Sequence, residues 1–432
     1  MEIAPTAVSS CLFLLTYGLI LSERVHRTIA ALAGAVAMVV AGTTLGFYDW
    51  ELAVAAIDFN TLALLLGMMI IVGVIQETGF FQYAAVKVAR WTRGNPWWLL
   101  LALALFTALV STVLDNVTTL VMVAPVTVSI AEVVGMSPLP LLLSQAVCSN
   151  VGGVATLVGD PPNILIGSAA GLSFVDFLVN LGPIVAVVLL LSVVLIRWLF
   201  RKELASPAEK VETLLAMDAK RALLDPKTAR KVLCVVALTV VLYLVHHLLG
   251  FPPGLVALIG AAVGLLWVRP PVDQVLGKIH WDVLVFFLAL FVVVGGLEAA
   301  GVLGWISQQL GFLARSGVLL AALAILWGSA IMSAAVDNIP FTIAMLPVIR
   351  GLSAHGVAAA PLWWALALGA GFGGNATPIG ATANVVAVSV SEHTADPITT
   401  RRWLGTGGWL ALLGCGVASV ALVLGVTLGW LL

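Results

Sequence analysis

Charge is what this sequence has least of. Lys, Arg, Asp and Glu make up 9% of its 432 residues and hydrophobic types 61%, whereas a soluble domain is about a quarter charged and about half apolar. That excludes a water-soluble fold, which could not hide so much apolar surface. Neither sign of charge is in surplus either. Twenty Lys and Arg face 21 Asp and Glu, for a formal net charge of −1, and with no basic face there is no footprint for nucleic acid. Cysteine is scarce: Cys11, Cys148, Cys234 and Cys415 lie far apart in apolar segments, which excludes a disulfide framework and metal-ligand spacing and leaves them as buried small apolar residues. The chain has no GxxxxGK[ST] phosphate loop, no HExxH zinc motif and no convincing nucleophile–base pair, so hydrolysis of ATP by the phosphate-loop route is excluded. We expect no enzyme, no catalytic residues, no metal and no cofactor, only a coupling ion.

What the sequence does have is long apolar runs. Runs of about 20 residues cross a hydrocarbon core of ~30 Å as helices, and they lack the alternation of outer-membrane strands. The expected fold is an all-α integral membrane bundle whose first partner is the lipid bilayer. Spanning helices are predicted at 5–22, 28–46, 61–76 and 174–200, and again at 231–249, 254–268, 283–299 and 404–432. The first 22 residues are as hydrophobic as a signal peptide, but they begin with Glu2 and show no persuasive cleavage site, so they are read as the first span. Two further regions, 96–170 and 316–390, are apolar but broken by Gly, Pro and Asn. Broken backbone inside a bilayer must be covered by protein or water, so each region is read as a re-entrant hairpin followed by a broken helix.

The one long hydrophilic stretch, 201–230, divides the chain into a first repeat at 1–200, a linker, and a second repeat at 231–432. Gly79, Asp115, Asn116 and Pro125 recur as Gly301, Asp337, Asn338 and Pro347, at a constant offset of 222. Gly152, Gly153, Ala155, Thr156, Gly159 and Asn163 recur as Gly373, Gly374, Ala376, Thr377, Gly380 and Asn384, offset by 221. Single Gly or Ala identities mean little in membrane helices, but ten in order mean a repeat. Five crossings and a hairpin per half would make the second half enter inverted, a common transporter plan. With both termini extracytoplasmic, the inner side holds Arg24, Arg27, Lys87, Arg90, Arg93, the 201–230 cluster, Lys231, Arg269, Lys278, Arg401 and Arg402, leaving Arg315 and Arg350 outside. That bias fits a bacterial or archaeal inner (plasma) membrane protein with a cytoplasmic linker.

The polar residues within the interrupted regions are the candidate site. LDNVTTLVMVAP at 114–125 offers Asp115, Asn116 and Thr118, and VDNIPFTIAMLP at 336–347 offers Asp337, Asn338 and Thr342. An ionisable side chain at membrane depth is costly and usually faces a cavity, a partner or an ion path. Each aspartate could equally cap a hairpin tip by accepting backbone N–H bonds, and a cap can also belong to a site. SNVGGVATLVGDPPN at 149–163 adds Asn150, Gly152, Gly153, Thr156, Asp160 and Asn163, and GGNATPIGATAN at 373–384 adds Gly373, Gly374, Asn375, Thr377, Thr382 and Asn384. The paired glycines would let backbone approach a ligand, or let two helices pack closely. Asp160 before Pro161 and Thr377 before Pro378 are predicted to start resumed half-helices, whose N–H ends favour anions and whose carbonyl ends favour cations.

These motifs resemble the ion transporter superfamily, in particular its arsenite permease and NhaD-type antiporter branch, which includes the melanosomal P protein. The resemblance covers nearly the whole chain and implies a scaffold plus a transport domain that moves like an elevator, and it allows a homodimer. In the related dicarboxylate carriers, Ser-Asn-Thr hairpin tips bind substrate and sodium; those tips align with Asp115-Asn116-Val117 and Asp337-Asn338-Ile339. Aspartate in place of serine favours a proton, a cation or a neutral substrate over a dianion. The resemblance therefore implies efflux of a small inorganic substrate, arsenite or antimonite, driven by proton influx with Asp115 and Asp337 as coupling residues. A sodium–proton antiporter is the alternative, and a sodium-coupled carboxylate carrier stands behind it. From a different class comes a channel subunit driven by a cytoplasmic ATPase partner. Among weaker features, Glu77 and Glu298 read as interfacial or as part of a proton path, and His246 and His247 as interfacial. Trp97, Trp98, Trp363 and Trp364 read as an interface belt.

Overall fold

The computed structural model describes residues 3–22, 24–204, 218–309, 317–354 and 356–430. Linker residues Glu209, Lys210 and Glu212, and Arg315 near the second hairpin, lie outside the described residues. The described chain forms helices and no strand. Eight of the helices are long and apolar enough to cross a bilayer.

The order of elements in the first half is α1 (Ile3–Ser22), α2 (Arg27–Leu45), short α3 (Trp50–Ala55), α4 (Phe59–Gln76) and α5 (Phe80–Trp91). A hairpin of α6 (Pro96–Ser111) and α7 (Asn116–Val134) follows, then α8 (Leu139–Gly153), α9 (Pro161–Ala170), α10 (Phe174–Asn180) and α11 (Gly182–Leu199). After α12 (Ala219–Ala222), that order returns as α13 (Pro226–Leu249), α14 (Pro253–Val268), α15 (Val272–Leu276), α16 (Trp281–Ala299) and α17 (Val302–Gln309). A second hairpin, α18 (Val318–Ala335) and α19 (Asn338–Ala354), leads to α20 (Ala359–Gly373), α21 (Thr382–Ser391), α22 (Thr400–Leu404) and α23 (Gly407–Thr427).

Local chemistry sets these boundaries. Asn95 caps α6 by accepting from the Trp98 N–H, with Pro96 in the first turn where its missing N–H costs nothing. Ser173 and Asp176 form a reciprocal capping box on α10. The run expected as one helix over 174–200 is two, because Gly182 and Pro183 open a new helix after Leu181, and α10 turns 113° from α9.

The halves interleave. α4 packs on α14, α2 on α16, α7 on α21 and α9 on α19, each pair taking one helix from each half. Within each half the hairpin is carried on the broken helix, α6 on α8 and α18 on α20. Glycine makes this approach possible: a Cβ on Gly152 would collide with the Ala108 carbonyl of α6, and one on Gly373 with the Ala330 backbone of α18.

At the linker end, Leu224 N–H donates to the Thr78 carbonyl at 2.9 Å; Glu77 pairs with Lys278 and Glu203 with Arg402. At the opposite end His246 is buried, not interfacial: its Nδ1 is 2.8 Å from the Phe251 carbonyl and its Nε2 accepts from Phe174 N–H at 3.3 Å. Trp363 and Trp364 are likewise core residues, Trp364 set edge-on to Phe177 at 5.2 Å, so they form no belt; Trp98 is exposed. The nearby Pro361 and run of small residues place that tryptophan pair inside the α20 packing. Cys148 and Cys415 are buried as expected, but Cys11 and Cys234 face outward.

Candidate functional site

Both hairpin tips reach the two helix breaks in the middle of the bundle. Asp115 is the N-cap of α7: its carboxylate accepts from Thr118 N–H at 2.8 Å and from the Thr118 hydroxyl at 2.5 Å. Asp337 accepts from Ile339 N–H at 3.2 Å, but Pro340 stands where the first tip has Thr118, so no hydroxyl closes the turn. Arg27 and Thr382 take that place. Arg27 Nη1 donates to Asp337 Oδ2 at 2.9 Å and to the Thr382 hydroxyl at 3.3 Å, and that hydroxyl donates to the same carboxylate oxygen at 3.1 Å. The guanidinium also lies 5.4 Å from the ring centre of Phe286 on α16, a distance at which the ring face attracts a cation.

Between the tips lies a buried amide cluster. Asn116 Nδ2 donates to Asn150 Oδ1 at 3.0 Å and to Asp160 Oδ1 at 3.4 Å. Asn150 Nδ2 in turn donates across the repeat boundary to Asn375 Oδ1 at 2.9 Å and Asn384 Oδ1 at 2.8 Å. The Asn338 side chain of the second tip is buried in the same cluster. Six of these groups, Asn116, Asn150, Asp160, Asn338, Asn375 and Asn384, are each 4% exposed or less. At that burial an unpaired polar group is expensive; most of the cluster's amides pair with one another, while Asn116 Oδ1 and Asn375 Nδ2 are left without a partner.

The remaining candidates hold the breaks. Asn163 Nδ2 donates to the carbonyls of Val154 at 3.1 Å and Thr156 at 2.8 Å; Asn384 Nδ2 does the same for Gly374 at 2.8 Å and Thr377 at 2.9 Å. These are carbonyls that a broken helix leaves free. The Thr156 hydroxyl donates to Thr112 O at 2.5 Å and the Thr377 hydroxyl to Ala334 O at 2.6 Å, so each break is tied to its own hairpin tip. Glycines expected to bring backbone to a ligand meet backbone instead: Gly152 and Gly373 meet the hairpins, and a Cβ on Gly153 or Gly374 would lie 2.6 or 2.8 Å from the carbonyl of Gly159 or Gly380. Thr377 begins no half-helix: a single 3-10 turn precedes it, Pro378 and Ile379 form a turn, and α21 starts at Thr382 after an extended Ala381.

Asp160 does precede α9, yet its carboxylate makes no capping bond. It turns instead toward Asn116 of the first tip. Sequence reasoning assigned it only a capping role and assigned Arg27 only to an inner loop. The available signals were that Asp160 has no partner in the repeat, with Ala381 at the matching position, and that Arg27 opens α2 at the end where helix polarity disfavours a cation.

Two cavities flank the cluster on the linker side. One of about 220 Å³ is lined by Asp115, Thr118, Arg27, His280, Asp282 and Thr382 among apolar groups from α4, α9 and α21. Another, about 440 Å³, opens past His26, Val25 and Ile379 and reaches Asp337. Arg27 and Thr382 line both, so the Arg27–Asp337–Thr382 contact stands at their boundary. At the opposite end a cavity of about 350 Å³ is lined by Asp58, Glu298, Arg350 and Ser168. Four helix N-termini, those of α7, α9, α19 and α21, converge on the centre. At roughly half a positive charge each, with Arg27 added, they face the carboxyl groups of Asp115, Asp160 and Asp337.

The model of a family described as "Citrate transporter" matches residues 17–369. The 46 kDa membrane protein of Mycobacterium leprae is 37% identical over 427 residues, spanning 96% of this chain and 98% of that protein. An uncharacterized transporter of Mycobacterium tuberculosis is 38% identical over 434 residues, spanning 98% of both chains. The human P protein is 31% identical over 505 residues, spanning 96% of this chain and 59% of the P protein. In fold, the chain matches the YdaH transporter of Alcanivorax borkumensis with a TM-score of 0.64 at 14% identity, over 94% of this chain and 99% of that one. The chain is a membrane transporter, not an enzyme, and it belongs to the citrate transporter family of secondary transporters.

Proposed function

We propose that this transporter exports a small, uncharged, hydroxylated solute of the arsenous or antimonous acid type in exchange for protons. The observation that carries this reading is the buried, amide-rich centre, in which the carboxyl groups of Asp115, Asp160 and Asp337 and one guanidinium are set among four helix N-termini. A neutral polyhydroxyl solute can exchange hydrogen bonds with such a centre without bringing in charge that must be desolvated. A free tricarboxylate, the cargo named in the family's description, would meet Asp115 and Asp282 in the 220 Å³ cavity with only Arg27 and His280 to answer it.

In this reading Asp115 and Asp337 carry the coupling proton. The second is the better placed, because the 440 Å³ cavity reaches it from the linker side and its protonation removes the charge that holds Arg27. Basic residues gathered at the linker end put that end in the cytoplasm by the positive-inside bias. A sodium–proton antiporter is the second reading, favoured by the two aspartates, Asp115 and Asp282, that share the smaller cavity.

Inside-out vesicles with an imposed proton gradient test both. Gradient-dependent arsenite accumulation, lost in the Asp115→Asn/Asp337→Asn double variant, supports the proposal. Collapse of the gradient by sodium, without arsenite flux, moves the assignment to the antiporter. Uptake of citrate driven by sodium would overturn both.

A further inference from the structure

We infer that Asp160 is a resident carboxylate, seated where a substrate carboxylate would otherwise bind, and that it determines which solutes the centre accepts. The repeat supplies an internal control. In the second half, α21 resumes after Ala381, whose backbone (φ −150°, ψ 143°) nearly matches that of Asp160 (φ −144°, ψ 134°). The break and the resumed helix therefore need no carboxylate. Nor does Asp160 serve its own helix, since its side chain accepts no bond from the first turn of α9.

What the side chain does is accept from Asn116 Nδ2 at 3.4 Å, an amide of the first hairpin tip, with Asn338 of the second tip buried in the same centre. In turning its N–H group toward Asp160 and Asn150, Asn116 leaves its own Oδ1 buried and unpartnered, so the donors are aimed at the carboxylate at the expense of the acceptor. The N-termini of α7, α9 and α19 point at the same place. A buried amide donor set among helix N-termini forms an anion seat, and here the protein fills it at 2% exposure. While Asp160 occupies the seat, a second carboxylate cannot use that donor. The seat thus selects against acids and leaves neutral or cationic solutes.

This deepens the proposed reading of the same site, and its test reads binding instead of flux, so either can fail alone. Purified Asp160→Ala and Asp160→Ser, both of which vacate room for a one-carbon acid, are unfolded by heat in sodium formate or in sodium chloride at matched pH and ionic strength. Formate is expected to raise the melting temperature of both variants by several degrees, saturably, as a ligand bound only to the folded state does. It is expected to leave wild type and the isosteric Asp160→Asn unmoved. Adding Asn116→Ala to Asp160→Ala is expected to abolish the response. No formate shift in either variant, an equal shift in wild type, or a shift indifferent to Asn116 would overturn the inference, as would variants that aggregate even when prepared in formate. Loss of arsenite flux with the formate response intact would count against the proposed cargo alone.

Discussion

Removing the side chain of Asn150 is the sharpest perturbation of the core, because this one buried amide donates to two partners in the other half. It is 1% exposed, donates to Asn375 Oδ1 and Asn384 Oδ1, and accepts from Asn116. In Asn150→Ala, Asn116 keeps Asp160 as a partner, but the two amide oxygens from the second half lose the donor they share. A buried acceptor left unmade costs about 1–3 kcal/mol, so the pair costs ~2–6 kcal/mol, less whatever an entering water recovers. For a chain of this length each kcal/mol moves the melting temperature by roughly 1–2 °C, extrapolating the size trend, which gives an expected drop of about 2–12 °C. Asn150→Asp should lose more, because it presents carboxylate oxygens to the same two acceptors. Buried Cys148 and Cys415 provide the assay: a fluorogenic maleimide labels them on unfolding, once exposed Cys11 and Cys234 are replaced by serine. An Asn150→Ala protein that melts within about 1 °C of its parent would refute the reasoning.

Gly152→Ala and Gly373→Ala are each expected to cost about 1–3 kcal/mol by overpacking, since the added methyl meets the Ala108 or Ala330 backbone, while Gly18→Ala and Gly416→Ala, with no atom within 4 Å, serve as unaffected controls; thermal unfolding reads both sets. Arg27→Gln breaks the ion pair at the boundary between the two linker-side cavities. It is expected to speed labelling of a cysteine at Val386 by a water-soluble maleimide on the order of tenfold, the consequence of losing a partly buried pair, and an unchanged rate would remove that contact as a barrier. Asp115→Asn and Asp337→Asn are expected to fold and to lose proton-coupled flux, and pH-dependent transport that survives in both would end their coupling role. Asp115→Ala should in addition shed a helix cap, at about 1 kcal/mol, detectable as a lower melting temperature than that of Asp115→Asn.

The backbone plan was readable because it depends on local and periodic properties. Apolar run length gives spans, Gly and Pro give breaks, and an offset of 221 or 222 gives the repeat. The sequence also singles out Asn116, Asn150 and Asn384, which the structure links by hydrogen bonds, and Asp115, whose carboxylate stays on Thr118. Other features escaped because their signal was ambiguous at short range. Gly182-Pro183 inside an apolar run reads as continuous helix until the 113° turn between α9 and α10 demands a new start. Trp363-Trp364 has the composition of an interface belt, and only packing against Phe177 shows that it is core. Thr377-Pro378 has the look of a helix start, yet the Thr377 hydroxyl is spent on Ala334 and the helix waits for Thr382.

Arg27 and Asp160 mark the deeper limit, and for opposite reasons. Arg27 meets Asp337 across 310 positions of chain, a separation at which no spacing rule operates; only its placement at a helix N-terminus, where a cation is disfavoured, hints that something distant compensates. Asp160 lies inside a motif that was read correctly, but a carboxylate before proline has an obvious local use as a cap, and that use hides the actual one. Repeat symmetry separates the two cases. Where both halves carry the same polar residue at matching positions, as with Asn163 and Asn384, the residue serves what the halves share, the free carbonyls of a broken helix. Where one half carries a charge and the other an alanine, as with Asp160 and Ala381, the charge cannot be required by the common backbone and must answer to the site between them.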